Sequence, residues 1–418
     1  MKTFQKLATG LVASAFLFAP SAYADDEVQG PVEWNLADAI LQGTPSASLR
    51  YRYAYIDQDG FSEDAHASTA RFLVGYQTGQ FGYFSAFGQV RLTGAIGSDE
   101  FNSTTNGQGQ YPVEADPSSA ELSQGYLRFS GYGPFNVTVG RRQLNWGNQR
   151  FISSVGWRQN NQSFDGVVIE TSPMNGLSFR YSYSDNINRI FTDDSPVGDF
   201  DGDAHLINGL YDFGSGSLTA YVYTMDFQNM WARPSSAQTF GANLTFNHEV
   251  NGINLGAILE FASQSDYGSN YISYDAEYYR VEPSISTQGF TLKGGLEVMT
   301  GDGTRGFQTP LGLLHAYNGW ADKFLTTPAY GLEDYYVSAS YRFGAHGTPE
   351  QMDGVRFTAA YHEFQSESMD MDYGTEFDAA LIIPVDDRFS TGFKYANYQS
   401  DGHSVDTEKF WWFFTVTY

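Results

Sequence analysis

Apolar residues recur at every second position, in segments of about ten, along almost the whole chain. That period puts alternate side chains on opposite faces of a strand and does not match the 3.6-residue repeat of a helix. Leu49, Tyr51, Tyr53 and Tyr55 alternate with Arg50, Arg52 and Ala54, and Phe72, Val74 and Tyr76 with Arg71, Leu73 and Gly75. The pattern returns through residues 84–92, 177–183, 240–246, 255–261, 290–296, 335–341, 355–361 and 389–395. Together such segments make about 18 strands, an all-β chain.

The connections carry independent information. Short ones at 78–80, 132–133, 173–176, 214–216, 250–252 and 384–386 alternate with longer polar ones at 97–118, 145–162, 186–203 and 300–330. Short turns at one end and long loops at the other define a transmembrane antiparallel up-and-down β-barrel, with periplasmic turns and extracellular loops. Every proline after residue 24 is expected in the amino-terminal segment, in a turn or loop, or at a strand boundary, because a closed ladder has no edge to hold it. The last segment alternates Phe410, Trp412, Phe414, Val416 and Tyr418 with Lys409, Trp411, Phe413, Thr415 and Thr417. Its aromatic end at Tyr418 resembles the last-strand signature by which the barrel assembly machinery of Gram-negative bacteria recognises its clients.

The amino terminus supplies the compartment. Lys2 and Lys6, an apolar stretch from Leu7 to Pro20 and Ala22-Tyr23-Ala24 read as a secretory signal peptide. Residues 1–24 are therefore expected to be removed, residues 25–44 to form a short periplasmic segment, and residues 45–418 to form the barrel. Beyond the signal no run of 18 apolar residues occurs, which excludes spanning helices. Loss of two lysines takes the formal charge of -25 to -27, which argues against a nucleic-acid partner. The absence of cysteine excludes disulfide scaffolds, cysteine-ligated metals and cysteine nucleophiles. A mean hydropathy of -0.36 beside 29 Tyr, 33 Phe and 7 Trp fits a lipid-facing aromatic coat around a water-filled interior.

Gly140-Arg141-Arg142-Gln143-Leu144-Asn145-Trp146-Gly147-Asn148-Gln149-Arg150-Phe151, with Gly156-Trp157-Arg158-Gln159 and Ser163-Phe164-Asp165-Gly166-Val167, resembles the central motif of the alginate-export family of outer-membrane barrels. The stretch from Leu36 to Gly43, leading into Leu49-Arg50-Tyr51-Arg52-Tyr53, resembles the start of that family. The resemblance implies a monomeric barrel of 18 strands, set in lipid and lipopolysaccharide, that passes polyuronate through an arginine-lined lumen.

The residues themselves support two readings of the basic side chains. Arg50, Arg52, Arg71, Arg91, Arg128, Arg142, Arg180, Lys293, Arg342, Arg356, Lys394 and Lys409 all fall at inward parity. Arg150 and Arg158 lie in the long loop that follows the motif strand, which is expected to end at Gly140. Guanidinium groups hold carboxylates bidentately and never lose their charge, so such a lumen favours acidic polysaccharides, oligosaccharides or other small anions. Alternatively these arginines pair with acids such as Asp165 or Glu121 and hold the loop in place. Between Arg189 and Arg280 the only basic residue is Arg233, so one wall is expected to be basic and the other poor in arginine. Lumenal acids such as Glu260 and Glu297 would cancel part of the positive field.

Three functions from different classes follow. They are a diffusion channel for acidic saccharides or anions, a general or differently selective porin, and a barrel enzyme. The enzyme has the least support, since the seven histidines lack zinc-protease spacing and no Ser elbow is present; His362 is the one inward candidate. Asp199, Asp201 and Asp203 resemble a calcium loop, but a solvated surface loop is favoured, and no cofactor is expected.

Overall fold

The computed structural model describes residues 34–344 and 352–418. The signal peptide and the first part of the 25–44 segment lie outside the described residues. A helix, α1 (Leu36–Leu41), precedes β1 (Thr44–Gln58), β2 (Ala65–Gln77), β3 (Phe84–Glu100), β4 (Ser119–Phe129), β5 (Phe135–Arg142) and β6 (Ser163–Met174). There follow β7 (Leu177–Asn188), β8 (Asp199–Asp212), β9 (Gly216–Phe227), β10 (Ala237–Val250), β11 (Ile253–Asp266) and β12 (Asp275–Thr287). The last are β13 (Phe290–Met299), β14 (Leu332–Arg342), β15 (Arg356–Gln365), β16 (Asp372–Pro384), β17 (Phe389–Ser400) and β18 (Thr407–Thr417). Each pairs antiparallel with its neighbours in sequence, and β18 pairs with β1 from Ser48 opposite Thr417 to Gln58 opposite Thr407. The result is a closed 18-stranded barrel. The seam continues past the strands: Ala47 N donates to Tyr418 O at 3.0 Å and Tyr418 N to Ala47 O at 2.8 Å. No backbone edge is left open there, as a hydrocarbon surround demands.

Parity is obeyed as the alternation requires. On β1, Arg50, Arg52, Ala54 and Ile56 are buried inside, while Leu49, Tyr51, Tyr53 and Tyr55 face out. Outward rings pair across strands, Tyr51 lying 5.6 Å from Trp412 and 5.4 Å from Phe414. Such cross-strand aromatic pairs add to the ladder and complete the apolar coat.

Three sequence expectations need correction. Pro283 lies inside β12 rather than at a boundary. Lacking an N–H, proline cannot donate to the ladder, and the β12–β13 register is interrupted there, passing from Val281 opposite Leu296 to Ser284 opposite Lys293. The motif strand does not end at Gly140 but continues to Arg142. Gly140 and Gly166 face each other across β5 and β6 with φ of +124° and +156°, and a Cβ at either would strike a neighbouring strand's carbonyl oxygen. Glycine is required at both, because an L side chain rarely adopts these angles and has no room here.

The third correction concerns the interior. Loops 101–118, 143–162 and 300–331 turn into the barrel, and a continuous apolar core forms inside it. Phe101, Leu144, Trp146, Phe151, Ile152, Trp157, Phe307, Leu311, Leu313 and Phe324 are all buried within the lumen. Burial of each large apolar side chain contributes about 1.5–3 kcal/mol. The lumen at the loop end is thus packed rather than water-filled.

Candidate functional site

The first three strands present a ladder of arginines to loop 143–162. Arg50 donates to the carbonyl oxygens of Gly156 at 2.9 Å and Trp157 at 3.2 Å, to that of Arg158, and to Gln159 Oε1 at 2.9 Å. Arg52 donates to Trp157 O at 2.8 Å, pairs with Glu114 and Asp116 of loop 101–118, and stacks over the Trp157 ring. Arg71 reaches Asn161 Oδ1 at 3.5 Å; Arg91 reaches Asn161 O at 3.2 Å and pairs with Glu121. A guanidinium carries several fixed donors, and buried loop carbonyls need them. All four arginines are buried.

Loop 300–331 locks onto the same place from the other side. Arg158 bridges Glu114 and Asp322, each at 2.9 Å, and Lys409 on β18 reaches Asp322 at 3.3 Å. His315 Nδ1 lies 2.7 Å from Asp322 Oδ1, and Lys394 Nζ lies 2.7 Å from His315 Nε2. The His315 ring stacks on Trp157 at 4.6 Å and 4°. Burial pushes His315 down to about 3, so it is neutral, donating from Nδ1 and accepting at Nε2. Burial pushes the Glu114 carboxyl up, but Arg52 and Arg158 outweigh it and hold the group below its usual range. Burial also opposes the Asp322 charge, yet the His315 hydrogen bond, Lys409 and Arg158 keep it well below the ordinary value. On the far wall Arg150 is held by Glu297 at 2.8 Å, Asn318 at 3.0 Å and Thr309 at 3.3 Å.

These contacts correct the expectation that every inward basic residue lines an open path. Arg50, Arg52, Arg71, Arg91, Arg150, Arg158, Lys394 and Lys409 are buried, with the inturned loops packed over them. Of the acids named for the loop-holding reading, Glu121 pairs with Arg91, whereas Asp165 takes a bidentate pair from Arg141 at 2.7 and 2.8 Å.

A second basic group is more open. Arg142 meets Glu170 at 3.0 Å and Arg180 meets it at 3.5 Å, with Arg128 acting on the same carboxylate from β4. Side-chain exposure is 26% at Arg142 and 41% at Arg180, against 1% at Arg52. Lys293 binds Glu282 at 3.1 Å, a carboxylate shared with Arg280. Arg342 and Arg356 stand opposite each other at the short-turn end of β14 and β15. The arginine-poor wall of β8 to β11 turns Asn208, Tyr221, Tyr223, Asn243 and Glu260 toward Trp146 and Phe151, around a small cavity of about 30 Å³. Glu260 accepts from Asn148 and Asn243 at 2.9 Å and from Tyr221 at 3.0 Å.

The calcium reading is corrected by secondary structure. Asp199, Asp201 and Asp203 lie on β8, not in a loop. Asp203 instead accepts from Tyr183 at 2.7 Å. Among the described residues no group of three or more His, Asp or Glu is placed to hold a metal. His362 is buried, bound to Asp334 at 2.8 Å and stacked on Tyr336 and Phe364. Sequence reasoning missed Glu114, Asp116, His315, Asn318 and Asp322. Their signal was the apolar content of the loops that carry them, since a solvated loop has no use for Phe101, Phe307, Leu311 and Leu313.

Residues 42–181, which hold β1 to β6, match the family model described as Alginate export. No curated protein matches the chain. Among solved structures, Pseudomonas aeruginosa OccK3 (OpdO) aligns with a TM-score of 0.70 and 16% identity over 92% of this chain and 97% of that one. Pseudomonas aeruginosa OccK9 (OpdG) gives 0.69 and 17% over 91% and 100%. Acinetobacter baumannii OccAB3 gives 0.68 and 15% over 91% and 100%. At such identities the likeness is one of fold, the closed 18-stranded antiparallel barrel.

Proposed function

We propose that this outer-membrane barrel is a diffusion channel for acidic saccharides of the oligouronate kind, or for other small anions. One observation carries the reading: on the open part of the wall, Arg142 and Arg180 share the carboxylate of Glu170 at 3.0 and 3.5 Å. Two guanidiniums thus face one carboxylate, and one positive charge is left over in a narrow, low-dielectric surround, which attracts anions and excludes cations. The packed loops support the same reading by narrowing the passage, so that solute passes close to these guanidiniums, whose forks suit carboxylates. The channel works as a monomer without cofactor or catalysis, after cleavage of residues 1–24 and assembly through the strand ending at Tyr418.

Reversal potentials across planar bilayers under a KCl gradient test the proposal. Anion selectivity with block by oligouronates is the expected result, and Arg142→Ala with Arg180→Ala moves the potential toward cations and weakens the block. Cation selectivity in the unsubstituted protein overturns it. Anion selectivity without oligouronate block leaves a small-anion porin and removes the saccharide.

A further inference from the structure

We propose that α1 is an interfacial helix that seats its outer face in the acyl-chain boundary of the periplasmic leaflet. The helix begins at Asn35, whose Oδ1 accepts the Asp38 N–H at 3.3 Å. At about 100° per residue, Leu36, Ile40 and Leu41 fall within an arc of about 140°. Ala39, on the opposite side, is buried against the barrel. The outer arc is bare, with Leu36 58%, Ile40 50% and Leu41 80% exposed, and Trp34 beside it at 59%.

Its position names the occupant. Gly79 N, in the short turn between β2 and β3, donates to Ala39 O at 2.8 Å, which fixes the helix at the short-turn end of the barrel. Tyr76 OH donates to Ile40 O. Tyr76 follows Phe72 and Val74 on the outward face of β2, so the helix sits on the lipid side of the rim and not over the lumen. Trp34 extends the helix into a band of rings, 5.2 Å from Phe81 and 6.4 Å from Tyr83. Tyr83 in turn touches Phe129 at 5.9 Å and Tyr132 at 5.3 Å. The exposed arc thus continues the aromatic girdle by which a barrel meets the membrane interface. The preceding residues suit it poorly as a cover, since 25–33 carry Asp25, Asp26, Glu27 and Glu33 but only two valines. Phospholipid acyl chains are the partner of matching chemistry, and insertion is apolar, not electrostatic.

The chain lacks cysteine, so single-cysteine variants label at one place. The full protein carrying Leu36→Cys, Ile40→Cys or Leu41→Cys is reconstituted in phosphatidylcholine vesicles, spin-labelled and measured by power saturation with oxygen and with a water-soluble nickel chelate. Leu49→Cys on the lipid face and Asp59→Cys in a loop serve as references, and heat-modifiable migration on gels confirms folding of each variant. High oxygen and low nickel accessibility at 40 and 41, like Leu49→Cys and unchanged by salt, is the expected result. Nickel accessibility at both positions equal to that of Asp59→Cys overturns the proposal, because the helix is then in water. Low accessibility to both reagents also overturns it, because protein then covers the face.

Discussion

Two groups of arginines stand on the same inner surface at the same parity and do opposite things. Arg50, Arg52, Arg71 and Arg91 on β1 to β3 are buried under loop 143–162 and spend their donors on its carbonyls and on acids brought by loop 101–118. Arg142 and Arg180 on β5 and β7 have no loop packed over them to the same degree and share one glutamate. The difference lies in what the loops do. Inward parity places a charge in the barrel, and loop packing decides whether that charge holds the structure or meets solute.

The sharpest break is Arg52→Ala. Removing a buried partner leaves Asp116 and part of Glu114 uncompensated, and breaking such a pair costs about 3–5 kcal/mol. A large fall in the heat-modification temperature, with noisier and larger conductance, is expected; an unchanged barrel would mean that the arginine ladder does not secure the loop.

Acid should loosen the same lock. His315 has a folded value near 3 against an ordinary 6.5, so the unfolded loop takes up the proton first. Its contribution is complete above 6.5 and is lost as pH falls from 6.5 toward 3. Glu114 and Asp322, both held low, add their loss below about 4. Accessibility of a spin label on Lys323→Cys to a water-soluble relaxation agent should therefore rise progressively below pH 6.5, and His315→Gln should remove the upper part of that dependence. A flat profile down to pH 4 would show that His315 does not bear on the loop.

Arg180→Ala probes the open group. A pair this exposed contributes about 0–1 kcal/mol, so unfolding should hardly move while the reversal potential shifts. If stability fell as far as in Arg52→Ala, the contrast between the two groups would collapse. The smallest effect is expected from Asp201→Asn on β8, with no change in melting with or without calcium, measured by the same gel shift.

Strand parity, the closure on β18 and the positions of the inward basic residues were all legible, because a period of two is a local property of the chain. The partners that hold the loops inside were not. Arg52 and Glu114 are 62 residues apart and Arg158 and Asp322 are 164 apart, and no local period records such partners. The motif around Gly140 pointed to the right loop, yet the pairing of Asp165 with Arg141 depends on the register between β5 and β6. Pro283 was misjudged for a different reason: a ladder interrupted at one residue is tolerated, and the flanking alternation does not report it.

The lock around Asp322 also has a meaning for assembly. Its parts come from β1, loop 101–118, loop 143–162, loop 300–331 and β18, so it is complete only when the first and last strands have met. Contacts that span nearly the whole sequence form late and slowly. Closing the cylinder is therefore what joins the β1 side of this lock to its β18 side.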